Sequence, residues 1–147
     1  MISKVLVIAV CAWATSQVLK VVIILIREHR LDLRYFILSG GMPSAHSATV
    51  CALAMAVAMT EGLSSVAFGI AAILAIVVMY DAAGLRRSVS RQSIILNRIV
   101  KELRDKRPKG EVERDLREFI GHTPFQVIVG AVLGTLIAWL WLTIGGG

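Results

Sequence analysis

The sequence predicts an all-α integral membrane protein with four transmembrane helices and a basic amphipathic cytoplasmic helical segment between the third and the fourth. Three observations carry this. Of the 147 residues, 56% are hydrophobic, and the mean hydropathy of +0.75 is too high for a soluble domain of this length. The apolar residues gather in long unbroken runs, and in a bilayer, where no water satisfies the backbone, such runs must be helices. Fourteen of the sixteen Lys and Arg residues fall in two connections, 27–43 and 84–122, which four spans place on one side. The positive-inside rule makes that side cytoplasmic and puts both termini outside. The whole chain, 1–147, reads as a single membrane domain.

The first span is expected over about 2–26. Lys4 followed by an apolar run also resembles a short signal peptide, but the run resumes from Val18 to Ile26, which favours a retained helix. Gln17, Lys20 and Arg27 step by three and seven and so share a face. Intramembrane charge is costly unless it meets a partner or water, so this face is expected to look into the bundle rather than to let Lys20 snorkel outward. A turn-rich connection follows, ending in Gly40-Gly41-Met42-Pro43-Ser44. Pro43 stops any helix arriving from before it, and Ser44 is an N-cap for an Ala-rich second span over about 44–60. Glu61-Gly62 turns the chain into a third span over 63–82.

The segment 84–121 carries eleven Lys or Arg residues. Ile95, Ile99 and Leu103, with Leu96 and Val100 beside them, recur at helical spacing, while Arg91, Arg98, Lys101 and Arg104 occupy other faces. A basic amphipathic helix on an anionic lipid surface fits this pattern, with a partner-binding or solvated helix as the alternative. Pro108 to Gly110 breaks the segment, and a short helix over about 111–120 is expected before Gly121. Thr123-Pro124 then opens the fourth span, over 124–144. Within it Gly130 and Gly134 form a small-xxx-small pair, suited either to packing inside the bundle or to a homodimer.

Cys11 and Cys51 lie inside apolar runs and read as small hydrophobes. No spacing of ligands points to a metal or a cofactor, and no nucleic-acid module is present. The informative feature is convergence: Arg27, His46, Asp81 and His122 all fall at the same membrane level. His46 enters the first turn of a helix whose unpaired N–H groups and positive dipole end favour an anion, phosphate above all. Two imidazoles with Lys20, Arg27 and Arg117 suit a phosphate ester. The cations hold non-bridging oxygens, one histidine attacks phosphorus and the other protonates the leaving oxygen.

At these residues the chain resembles a short, divergent member of the type 2 phosphatidic acid phosphatase superfamily, which includes the vanadium haloperoxidases. That superfamily carries Lys-x6-Arg-Pro, Pro-Ser-Gly-His and Ser-Arg-x5-His-x3-Asp. Lys20 to Arg27 matches the first motif, with Glu28 in place of proline, and Pro43-Ser44-Ala45-His46 matches the second, with Ala45 in place of glycine. In the third, Arg117 and His122 have four residues between them instead of five, Leu116 replaces the serine and Gln126 stands at the aspartate. The resemblance implies His122 as nucleophile, His46 as general acid, and Lys20, Arg27, Ser44 and Arg117 around the phosphate, with no metal needed.

Gln126 either supports His122 in the aspartate's place or closes a Thr-x-x-Gln capping box from Thr123. Asp81 and Glu118 are the carboxylates that topology offers as support. Arg86 and Arg87 follow the third span at the level of the site, where they contact a head group or anchor the helix. Ser90-Arg91 is followed after five residues by Asn97, which cannot form a phosphoenzyme, and His29 has no motif partner.

The expected activity is a lipid phosphatase acting on a phosphomonoester lipid, of the phosphatidate or phosphatidylglycerophosphate type, from the cytoplasmic side of the cell membrane. The rival is a catalytically weak or inactive relative that binds anionic lipid head groups or a partner protein. Transport draws little support, because the four short spans show no repeated halves. The sequence leaves the oligomeric state open, a homodimer included.

Overall fold

The computed structural model describes residues 3–28, 41–103 and 123–145, without the side chains of 27–28, 84–91, 93–94 and 97–103. Its elements are four helices, with no strand among the described residues: α1 (Lys4–Glu28), α2 (Ala45–Glu61), α3 (Val66–Leu103) and α4 (Pro124–Ile144). Three are long and apolar enough to cross a membrane, over Lys4–Ile26, Val66–Ala83 and Pro124–Ile144. At 17 residues α2 is shorter, about 26 Å against a hydrocarbon core of about 30 Å.

Cap chemistry explains the ends of α2 and α4. Ser44 is the N-cap of α2 and its hydroxyl accepts from Ser47 N. At the other end Gly62, at φ 87°, donates its N–H to the Ala58 carbonyl at 3.1 Å and turns the chain back. Ser65 then opens α3, its hydroxyl accepting from Phe68 N at 3.1 Å. In α4, Thr123 and Gln126 form the capping box anticipated from sequence, with Pro124 in the first turn.

The third element departs from expectation. The sequence reading separates a span ending at 82 from a basic segment beginning at Gly84, yet α3 runs unbroken from Val66 to Leu103. One glycine inside a helix costs only about 1 kcal/mol, and the Leu, Arg and Gln residues after it are good helix formers. Thirty-eight residues of helix measure about 57 Å, so the first basic turns prolong the apolar helix beyond the thickness of a bilayer core. The expected break at Pro108–Gly110 and the helix over 111–120 lie outside the described residues.

α2 is the central helix, packed against all three others, while α1 and α3 do not touch among the described residues. Ile8 and Ala12 of α1 join Ala52 and Ala56 of α2 and Ala138 of α4 in one buried apolar cluster. Lys20, further along α1, lies beside Gly41, just ahead of α2. α1 is therefore antiparallel to α2, and α3 is antiparallel to it through the tight Gly62–Ser65 turn. α4 runs parallel to α2, since Gly130 meets Ser44 and Ser47, Gly134 meets Ala48, and Ala138 meets the Ala52–Ala56 region.

The α2–α4 contact is backbone against backbone. A Cβ on Gly134 would collide with the carbonyl oxygen of Ala48 and stand 2.7 Å from its carbonyl carbon; one on Gly130 would collide with the carbonyl oxygen of Ser44. Between helices in lipid, where apolar contact alone gives little drive, small residues permit this approach. The glycine pair left open by the sequence is thus used inside the bundle. Gly134→Val should cost about 1–3 kcal/mol or more in detergent unfolding. Gly69→Ala, where nothing lies within 4 Å of the added methyl, should be neutral or stabilising.

Candidate active site

Polar and apolar residues are segregated along the bundle. Among the described residues the buried polar side chains are Ser16, Gln17, Lys20, Ser44 and Ser47, and all five fall at the end where α2 and α4 begin. The opposite half holds the apolar cluster. Lys20 is 2% exposed, so it does not snorkel, and Gln17 and Lys20 face the bundle interior as the sequence stripe predicts. A buried ammonium requires polar or anionic neighbours, which fixes the character of this layer.

The turn above Lys20 is built to approach it. Gly41 has φ 91°, a conformation that favours glycine, and a Cβ there would lie 3.9 Å from Lys20 Cγ and Cδ. The Met42–Pro43 peptide is cis. Ser44 is fully buried; its hydroxyl oxygen accepts from Ser47 N at 3.4 Å and from Ser47 Oγ at 3.0 Å. Ser44 N donates to the Gln126 carbonyl at 3.1 Å, locking the start of α2 to the first turn of α4. His46, in that first turn of α2, is exposed rather than buried in the core.

Two helix N-termini therefore sit side by side. Each carries about half a positive charge, although in α4 Pro124 has no N–H and the capping box takes those of Thr123 and Gln126, and neither α2 nor α4 has an acidic residue in its first turn. With Lys20 buried on α1 beside them, this end of the bundle has the positive character that suits an anion. The profile of the family described as "Divergent PAP2 family" matches residues 1–137. The chain belongs to the divergent PAP2 family. It is also 39% identical over 131 residues, 83% of each chain, to "Uncharacterized membrane protein YuiD" of Bacillus subtilis (strain 168). No solved structure matches.

Within this divergent PAP2 framework the structure brings together Lys20, Ser44 and the first turn of α4, with His46 on the same helix end. Gln126 reaches the site through its backbone carbonyl. Its side-chain oxygen accepts from Thr123 N at 2.9 Å, which is the return half of the capping box. Asp81 is exposed on α3, two residues beyond Met79, whose sulfur meets Cys51 Sγ of α2 at 3.6 Å. Its helix does not touch α1 among the described residues. His122, Arg117 and Glu118, and the side chains of Arg27, Arg86 and Arg87, lie outside the described residues.

Ser47 and Gly130 belong to the site's frame although sequence reasoning assigned neither to it. Ser47 has a signal in retrospect: it lies three residues after the N-cap, where a hydroxyl returns to the cap oxygen. Gly130 was visible only as half of a pair without a partner. If Gln126 serves α4 as its cap, Gln126→Glu, which keeps the box, should leave unfolding stability within about 0.5 kcal/mol, whereas Gln126→Leu should lose about 1 kcal/mol. Chemical denaturation in detergent reads both.

Proposed function

We propose that this chain is a four-span, metal-independent lipid phosphatase of the membrane, hydrolysing a phosphomonoester lipid of the phosphatidate or phosphatidylglycerophosphate type at its cytoplasmic face. The observation that carries the reading is Lys20, buried beneath two adjoining helix N-termini in a bundle whose other buried polar residues share that layer. Membership of the divergent PAP2 family supports it. An anionic head group fits this positive end while its acyl chains stay in the bilayer.

In the proposed reaction an imidazole nitrogen of His122 attacks phosphorus and the ester P–O bond breaks. The leaving oxygen takes a proton from His46 and departs as the lipid alcohol. Water then attacks the phosphohistidine, His46 accepts its proton, and inorganic phosphate leaves. Lys20, Arg27 and Arg117, with the α2 N–H groups oriented by Ser44, hold the non-bridging oxygens as charge builds on them. Gln126 orients the neighbourhood of His122, Asp81 or Glu118 supplies any carboxylate support, and Arg86 and Arg87 hold the lipid surface.

A second reading has an observation of its own. The Gln126 side chain, at the aspartate position of the third motif, is taken up by the capping box. An amide so placed cannot stabilise a phosphohistidine cation as a carboxylate would, which favours a relative that binds anionic head groups without turning them over. Phosphate release by the detergent-solubilised protein from a panel of lipid monophosphates separates the two. Release that orthovanadate blocks, that His122→Ala reduces to background and that Lys20→Met lowers by about 10²–10³ in kcat supports catalysis. Head-group binding with no release supports the second reading.

A further inference from the structure

One atom of the polar layer has no role in the reaction just described. Gln17 is 6% exposed, and its side-chain oxygen is the buried side-chain polar atom that has no hydrogen-bond partner among the described residues. Buried polar groups in folded proteins are nearly always paired, and an orphan is retained where a bound group completes it. Gln17 precedes Lys20 by three residues on the same face of α1, about 4.5 Å along the axis. α1 packs against α2 and α4 alone among the described helices, so the buried Gln17 side chain lies on the inward face that also carries Lys20.

The neighbouring groups make an acceptor here unusual. An ammonium only donates, and the helix N-termini only donate. The Ser44 oxygen is occupied by Ser47, and the Gln126 side-chain oxygen by Thr123. A fully deprotonated oxyanion can only accept, and so leaves Gln17 Oε1 unsatisfied. A phosphoryl group that carries one proton satisfies both sides: its bare oxygens accept from Lys20 and the backbone, and its P–O–H donates to Gln17.

We infer that Gln17 is a ligand-contacting, specificity-determining residue whose amide oxygen accepts a hydrogen bond from the P–O–H of a protonated phosphoryl group, so that the site takes phosphate and rejects sulfate. This rests on the phosphate site proposed above. The ligand chemistry is that of a phosphomonoester monoanion or of inorganic phosphate. Sulfate matches it in shape but has no proton to give near neutral pH. A site that holds a buried acceptor for a ligand's O–H discriminates strongly against the analogue lacking it, because the acceptor is left unpaired.

Titration calorimetry on the full-length protein in detergent, with inorganic phosphate, sulfate and a short-chain phosphatidate as probes, tests this. Phosphate should bind at least about tenfold more tightly than sulfate. Gln17→Met, similar in shape but without the acceptor, should lose that preference by weakening phosphate while leaving sulfate unchanged. It should fold as well as the parent, since it removes a buried unsatisfied oxygen.

Equal affinity for phosphate and sulfate in the parent protein overturns the inference whether or not the variant folds, and so does a preference that survives Gln17→Met. Binding of none of the three probes instead overturns the phosphate site itself. Tighter binding of phosphatidate than of free phosphate makes a lipid head group the source of the phosphoryl group, and the reverse order makes it the free ion.

Discussion

Placing two parallel helices with their N-termini together is electrostatically unfavourable, since each end carries a partial positive charge and aligned dipoles repel. α2 and α4 do so at backbone contact, with Gly130 on Ser44 and Gly134 on Ala48, and with Ser44 N bonded to the Gln126 carbonyl. The close approach recovers dispersion contacts that larger side chains would prevent. The residual positive field is concentrated at one end of the bundle, where Lys20 adds a full charge. An anion bound at that end would offset the field, and this would tie the packing of two glycines to the chemistry of the proposed site.

The same contact explains why the core is built largely from alanine. When helices meet at backbone distance there is room for little else, and Ala12, Ala52, Ala56 and Ala138 fill the apolar half around Ile8. Larger apolar residues such as Ile70, Ile73, Leu136 and Trp139 are turned outward, as suits a lipid-facing surface. Because the apolar half can be satisfied by small groups alone, the polar layer is confined to the other half. There the hydrogen bonds of Ser44 and Ser47 are made within the protein, as a bilayer requires.

The features legible in the sequence were those set by local chemistry. Ser44 and Thr123 cap their helices because cap preference is written within three residues, and Gln17 and Lys20 turn inward because a polar stripe in an apolar helix has nowhere else to go. What escaped depended on partners distant in the chain or on competition between weak terms. Gly84 suggested a boundary, yet the helix propensity around it outweighs one glycine, and α3 continues. Gly130 and Gly134 announced close packing without naming Ala48 and Ser44 as the surfaces met. The unsatisfied oxygen of Gln17 is legible only once every neighbour's hydrogen bonds have been assigned.

Gln126 shows how the cap and the site constrain each other. A glutamate at the third position would close the capping box equally well and would gain from the helix dipole, so stability alone favours the acid. A carboxylate there would also place a negative charge in the first turn of α4, one hydrogen bond from Ser44, and would offset the field that the paired N-termini create. The amide closes the box through Thr123 N and leaves the field intact. α2 follows the same rule, with His46 and no acid in its first turn. Both first turns at this end of the bundle forgo a carboxylate, at a cost in dipole energy of about 0.3–1 kcal/mol each, which accords with the proposed binding of an anion from outside the chain.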